Sequence, residues 1–324
     1  MERPIDFSRD RRMVCGICAH EWLVELDWID RWEQGREVCP GCGTTCEHEN
    51  APRATVNPDD LALDADKIAQ FAWYHTTTLP DWPTRDLDPA ADLTPETRRL
   101  MGGAKRVAAW AARQRGKALH VGTYESAVHN MLRRMRDQAD RGSQFYLYRV
   151  LLMPSVVVRE GWLIDPSDFM GDVVLDEVCP PGVDVARYLN YHEDLGGISL
   201  ALGRSAIASV QQVAVPLPDA CDDDWAREVA TALDGTSDTP VPATGRLSRF
   251  IRPSSPQALL GRELGAALAG KLPVNLQDQF ASASAFDEGD NPMRWARRTS
   301  CLFDLIVNPL RALAELDRQE RRTV

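Results

Sequence analysis

Cys15-Gly16-Ile17-Cys18 and Cys39-Pro40-Gly41-Cys42 are two Cys-x-x-Cys knuckles with twenty residues between them. Each offers two thiolates from one tight turn, and two such turns at this separation fit a single tetrahedral metal site. Five of the eight cysteines, these four and Cys46, fall between residues 15 and 46, whereas Cys179, Cys221 and Cys301 stand alone. Clustering of that kind points to a metal rather than to disulfides. Four thiolates close the coordination sphere, so the expected ion is Zn²⁺ in a structural role, with no open position for a substrate. Cys46, His48 and His20 lie close by and are read as bystanders.

The segment Cys18-Ala19-His20-Glu21-Trp22, with Arg36-Glu37-Val38 ahead of the second knuckle, resembles the zinc-ribbon family over about residues 10 to 50. A ribbon domain is accordingly drawn at residues 1–52. Residues 1–50 carry six Arg against eleven Asp or Glu, and four thiolates around Zn²⁺ add two further negative charges. Such a surface repels phosphate, so the ribbon is read as a protein-docking or structural cap. A unit this small buries too little apolar surface to fold unaided, and metal binding would supply most of its folding free energy.

The whole chain has 324 residues, which is room for two or three folded units. Lys plus Arg total 37 against 48 Asp plus Glu, a net charge of -11, and bulk nucleic-acid binding is therefore unexpected. The longest apolar stretch, residues 147–158, is interrupted by Arg149 and Pro154 and falls short of the ~20 residues a membrane helix needs. The first twelve residues contain no apolar core of a signal peptide, so a cytoplasmic location is expected.

Beyond the ribbon the pattern is that of an α+β protein. Residues 50–68, with Pro52, Pro58 and several aspartates, read as a linker, and residues 80–95, with four prolines, as a long surface loop. Short apolar runs at 71–77, 118–122, 145–153, 156–163, 198–202 and 210–215 read as strands. Thr123 is a fitting N-cap for a helix whose apolar positions are Tyr124, Val128, Met131, Leu132 and Met135. The strands are too unevenly spaced for a doubly wound parallel sheet. A central domain is drawn at 60–216 and a helical C-terminal region at 217–324. In the latter, Asp222-Asp223-Asp224 cap a helix to Leu233, residues 235–242 loop, Ser255-Pro256 open a helix to about residue 272, and a mostly helical stretch at 292–322 breaks near Pro309. No glycine-rich loop on a strand-to-helix turn and no Gly-x-Ser-x-Gly occur, which speaks against a Rossmann dehydrogenase, a P-loop ATPase and a serine hydrolase of that type.

Three stretches carry histidine beside strand-like residues: Trp73-Tyr74-His75-Thr76-Thr77, Leu119-His120-Val121-Gly122-Thr123 leading into Ser126-Ala127, and Tyr188-Leu189-Asn190-Tyr191-His192-Glu193 ahead of Ile198-Ser199-Leu200. Together, over about residues 68 to 216, they resemble the ADP-ribosyltransferase superfamily, in particular its His-Tyr-Glu branch. That resemblance implies a split β-sheet domain that binds NAD⁺ as a substrate. It further implies that Glu193 is the catalytic carboxylate, that His75 and His120 are catalytic-site residues, and that His75, Thr76, Thr77 and Tyr124 contact the dinucleotide. The family's glycine stands where this chain has Thr76, and its stacking tyrosine where this chain has His120; Tyr124, four residues on, is the candidate substitute. Rivals to Glu193 are Glu160, Glu177 and Asp194.

Arg149, inside the apolar run Tyr146-Leu147-Tyr148-Arg149-Val150-Leu151, needs a partner, either a diphosphate of the nucleotide or an internal carboxylate. The reading as a whole is an NAD⁺-dependent transferase that places ADP-ribose on a macromolecular acceptor, with a protein as acceptor or partner. Its alternatives are an NAD⁺ glycohydrolase and a non-enzymatic zinc-ribbon adaptor, and a related RNA 2′-phosphotransferase is disfavoured by the acidic surface.

Overall fold

The computed structural model describes residues 1–84, 88–91, 93–138, 140–166, 172–217, 224–240 and 254–324, and shows a mixed α+β molecule with three sheets. In the first sheet β1 (Arg11–Val14) lies between β2 (Glu21–Val24) and β3 (Arg53–Thr55), and α1 (Leu26–Glu33) follows β2. Met13, Val24, Leu26, Ile29 and Ala54 form its small core. This ribbon sheet reaches residue 55, and the chain start does not belong to it. Phe7 packs edge-on against Tyr124, and the Ala72 N–H donates to the Met1 carbonyl, so residues 1–7 lie across the central domain.

The stretch 50–68 is packed rather than a linker. It contains β3, and Ala62 and Ile68 on two short 3-10 turns are fully buried. The aspartates that suggested a loop are there as caps: Asp60 and Asp64 accept from the backbone N–H groups two residues on.

The remaining strands are β4 (Trp73–Thr77), β5 (Leu119–Val121), β6 (Phe145–Leu152), β7 (Leu163–Ile164), β8 (Val185–Leu189), β9 (Ile198–Leu202), β10 (Ile207–Val215) and β11 (Arg322–Thr323). They form two sheets of order β11-β10-β6-β4 and β5-β9-β8-β7, antiparallel except for the short β7–β8 pairing. Backbone hydrogen bonds link the two sheets where Tyr74 of β4 and Gly122 just past β5 exchange both N–H···O bonds at 2.9 Å. Their inner faces pack on each other, Trp73, Tyr148, Val150 and Val210 against Leu189, Ile198, Leu200 and Leu202.

Two strand readings need correction. Residues 156–163 do not form one strand: Val158 makes a single bridge to Val185, the chain turns at Gly161 with φ +70°, and only β7 follows. This run lies at the outer edge of its sheet: Val156 and Val158 turn toward the core between the sheets, while Val157 is 51% exposed. β8 was hidden by its arginine. All five of its residues are buried, and Arg187 is accommodated because it donates to the carbonyls of Ala62, Leu63, Arg159 and Gly161.

The helices are α2 (Pro95–Leu100), α3 (Ala104–Arg115), α4 (Tyr124–Asp137), α5 (Leu175–Val178), α6 (Asp224–Asp234), α7 (Pro256–Ala269), α8 (Val274–Ala283), α9 (Pro292–Val307) and α10 (Pro309–Asp317). As expected, Thr123 caps α4, its Oγ1 accepting from Ser126 N–H at 2.9 Å. Asn308 breaks α9 from α10 ahead of Pro309. Asp222 and Asp223, expected to cap α6, lie outside the described residues. The helix expected to reach residue 272 ends at Ala269, and α8 follows as a separate helix.

These C-terminal helices form one core of their own, Val229, Leu233, Phe286 and Trp295 among its members, and share a second with the sheets. Leu268, Phe280, Leu302, Leu305 and Leu316 share one cluster with Met131 and Leu132 of α4 and with Phe145 and Leu147 of β6. Among the described residues no helix is long and apolar enough to cross a membrane. Through the shared core, α8, α9 and α10 are expected to unfold together with the β11-β10-β6-β4 sheet. Phe280→Ala is therefore expected to cost about 3–5 kcal/mol, and denaturant curves followed by far-ultraviolet circular dichroism and by tryptophan fluorescence should shift together. Separation of the two curves would show independent domains.

Candidate functional site

The four knuckle cysteines converge. The Sγ atoms of Cys15, Cys18, Cys39 and Cys42 all lie within 4.8 Å of one another, and the Cys15–Cys42 and Cys18–Cys39 separations are each 3.7 Å. Two thiolates bound at about 2.3 Å to one tetrahedral zinc stand about 3.8 Å apart, so the cluster has the dimensions of a tetrathiolate metal site.

Backbone bonds build the knuckles. Cys15 N–H donates to His20 O at 3.0 Å and Ala19 N–H to Cys15 O at 3.0 Å; Cys39 N–H donates to Thr44 O at 2.9 Å and Gly43 N–H to Cys39 O at 2.8 Å. Gly41 is required by close approach, since a Cβ there would stand 2.9 Å from the His20 Cβ and 3.1 Å from Cys18 Sγ. The cluster does not include Cys46, His48 or His20. His20 instead stacks on Trp22 with ring centres 5.3 Å apart, and His48 Nδ1 accepts from Asn50 N–H at 3.0 Å.

At the seam between the two large sheets lies a hollow of about 80 Å³, whose walls include His75, Thr76, His120, Asn130, Tyr188 and Glu193. Residues from all three histidine-bearing stretches thus reach one place. β4 brings His75, whose ring stacks on Trp82 at 4.2 Å. β5 brings His120, whose Nδ1 is 3.0 Å from the Tyr188 hydroxyl, while its Nε2 is buried without a hydrogen-bond partner. Gly122 permits the seam, because a Cβ there would be 2.1 Å from Ser126 Oγ and 2.8 Å from Ser199 Oγ.

Glu193 sits on the turn after β8. Asn190 shapes that turn: its Oδ1 accepts from the N–H groups of His192, Glu193 and Asp194 at 3.0, 2.8 and 3.2 Å, and its Nδ2 donates to Ser199 Oγ at 3.1 Å. The Glu193 carboxylate accepts from Arg133 at 2.7 Å and from Asn130 Nδ2 at 3.2 Å. Burial, joined by the nearby His120, pushes the His75 imidazole down to about 3. Burial also lowers His120 and raises the Tyr188 phenol. At neutral pH the walls therefore present neutral imidazoles and one arginine-held carboxylate, which suits binding a polar, cationic group more than delivering a proton from histidine.

Other expected site residues lie elsewhere. Tyr124 is core: its hydroxyl donates to Leu305 O at 3.0 Å and its ring meets Tyr74 edge-on at 5.3 Å. Thr77 Oγ1 accepts from Leu79 N–H at 3.3 Å, and Thr77 is not part of the hollow's wall. Thr76 does line it, but its Oγ1 donates to Ala127 O at 2.7 Å and ties β4 to α4.

Arg149 is not brought to the hollow. It pairs with Asp317 at 2.6 Å and Glu2 at 2.9 Å and donates to Leu313 O at 3.3 Å, binding β6 to α10 and to the chain start. The internal carboxylate, not a nucleotide, is its partner here. Among the rivals to Glu193, Asp194 is buried, accepts from Thr123 Oγ1 at 2.8 Å and pairs with Arg9 at 2.5 Å; Glu160 and Glu177 do not line the hollow.

Asn130 and Tyr188 were not singled out in the sequence. Tyr188 could have been found from the period-two alternation of β8, which points it away from the inner core; Asn130 stands one helical turn after Ser126. A second pocket of about 380 Å³ lies on the Tyr124 side of Tyr74, between Arg3, Arg9, Asp60 and Glu125. No protein-family model matches this chain, and neither does any curated protein or solved structure.

One metal ion per chain is expected by elemental analysis, lost in Cys39→Ser and kept in Cys46→Ser; retention by the former would contradict the four-cysteine set. The His75 imidazole gives a second expectation. The unfolded ring takes up a proton near pH 6.5 whereas the folded one resists to about 3, so its contribution to stability is present above pH 6.5 and is lost as the pH falls toward 3. In acid denaturation series His75→Asn should show a shallower fall over that window, and an unchanged slope would mean that the ring is not desolvated.

Proposed function

We propose that the hollow at the seam holds the nicotinamide-ribose end of NAD⁺ and that the protein transfers ADP-ribose to an acceptor, the knuckle cysteines holding a structural Zn²⁺. The observation that carries the reading is the meeting of His75, His120 and Glu193 at one hollow from three separate stretches. In the reaction the bond between nicotinamide nitrogen and ribose C1′ breaks, and its electron pair leaves with nicotinamide, which departs neutral. C1′ becomes oxocarbenium-like, and the carboxylate of Glu193 stabilises that positive charge. An acceptor lone pair then forms the new bond to C1′, and its proton passes to Glu193. Arg133 and Asn130 hold the carboxylate in one orientation, while the neutral imidazoles and the Tyr188 hydroxyl supply hydrogen bonds to sugar or amide.

A hollow of about 80 Å³ is smaller than the ~300–1,000 Å³ usual for organic ligands, so the dinucleotide requires its walls to part. That size and the engagement of Glu193 by Arg133 favour a second reading, a zinc-ribbon adaptor without turnover. Nicotinamide release from NAD⁺, measured with and without cell lysate, separates the two. The transferase reading expects release by wild type and at least a 100-fold loss in Glu193→Gln, which keeps the size of the side chain and removes its charge. Equal rates in both proteins, or no release by wild type at millimolar NAD⁺, would end it.

A further inference from the structure

Charge is unevenly distributed along this chain. Residues 94–117 hold five Arg and two Lys against one acid, Glu96, a local net of +6 (7 minus 1) in a protein whose total is -11. α3 lies in this segment and buries only Val107 and Ala111. On its outward side Lys105, Ala109 and Arg113 recur at i, i+4 and i+8, with Arg106 beside them, and all four are exposed. Among the described residues no ion pair is formed by Arg99, Lys105, Arg106, Arg113 or Arg115. Lys117 is taken by Asp172, and Arg98 donates to the carbonyls of Ala90 and Leu93.

The placement is unfavourable for the isolated helix. Lys105 and Arg106 occupy the first turn, where the helix dipole is positive and the backbone N–H groups are unpaired, and no acid stands there to offset them. A polyanion would relieve that repulsion.

We propose that the outward face of α3 binds the phosphate backbone of nucleic acid without sequence preference, through Lys105, Arg106 and Arg113. Five of the seven cations in the segment are arginines, whose planar fork matches phosphate oxygens. Lys105 and Arg113 are separated by about 12 Å at 1.5 Å per residue, enough to span successive phosphates. Around the cations Ala108, Ala109 and Ala112 are exposed and short, so the helix can approach closely, while Trp110, the one large side chain among them, is partly buried against Val107 and Ala111. The three alanines are not the large anchors around which protein interfaces are built, and Trp110 is turned partly into the small core beneath the helix. The contact is confined to this helix because the ribbon is acidic, and it does not depend on the chemistry at the hollow.

Fluorescence anisotropy of the full-length protein with labelled 20-mer single-stranded and duplex DNA, from 50 to 200 mM KCl, tests it. Three phosphate contacts correspond to a slope of about -2 to -3 in log affinity against log salt. The double variant Arg106→Gln, Arg113→Gln should reduce that slope to about -1 while the melting temperature is kept, since both side chains are exposed. Absence of binding at 50 mM salt, or an unchanged slope in the variant, would overturn the proposal. So would polyglutamate competing as well as DNA at equal charge, which would identify an acidic protein as the partner.

Discussion

One reciprocal pair of backbone hydrogen bonds, between Tyr74 and Gly122, joins the two large sheets, and the rest of the site depends on it. It requires a residue without a Cβ at position 122, because Ser126 and Ser199 occupy that space. It also brings His75 on β4 and His120 on β5 to the two sides of one gap. The Tyr74 side chain extends the link: its hydroxyl donates to Glu2, Glu2 pairs with Arg149, and Arg149 pairs with Asp317. The chain start, the β11-β10-β6-β4 sheet and the terminal helix are thereby fastened beside the seam, and the buried Arg149 is paired rather than left as an isolated charge.

The carboxylate is positioned with comparable care. Asn190 spends its side-chain carbonyl on three successive backbone N–H groups, which defines the turn that presents Glu193. Arg133 and Asn130 then hold the acid from α4. A carboxylate so held cannot rotate freely, and a ribose entering the hollow would meet it already oriented.

How much of this was legible in the sequence differs by element. The knuckles were fully legible, because thiolate coordination demands a fixed spacing that few other needs produce. α4 was legible from Thr123 and the spacing of Val128, Met131 and Leu132. Position 193 was legible only through its resemblance to a family motif, since an acid beside Gly196-Gly197 reads otherwise as a turn residue. β8 and the packed stretch at 50–68 were obscured because a polar residue looks the same in sequence whether it is solvated or paired inside. Arg187 with four backbone carbonyls and Asp60 as a cap are of the second kind. Tyr124 misled for the opposite reason, an amphipathic residue whose hydroxyl found a core carbonyl. Long-range partners such as Asp317 for Arg149 cannot be read from local pattern at all.

The central claim is that the seam between the sheets is where nicotinamide and its ribose bind. A structure of the protein determined in complex with NAD⁺ tests it most directly. The account expects the nicotinamide ring beside His120 and Tyr188, with a ribose hydroxyl within hydrogen-bond distance of Glu193. Nucleotide lodged in the pocket between Arg3, Arg9 and Glu125, with the seam still closed around Glu193 and Arg133, would contradict it.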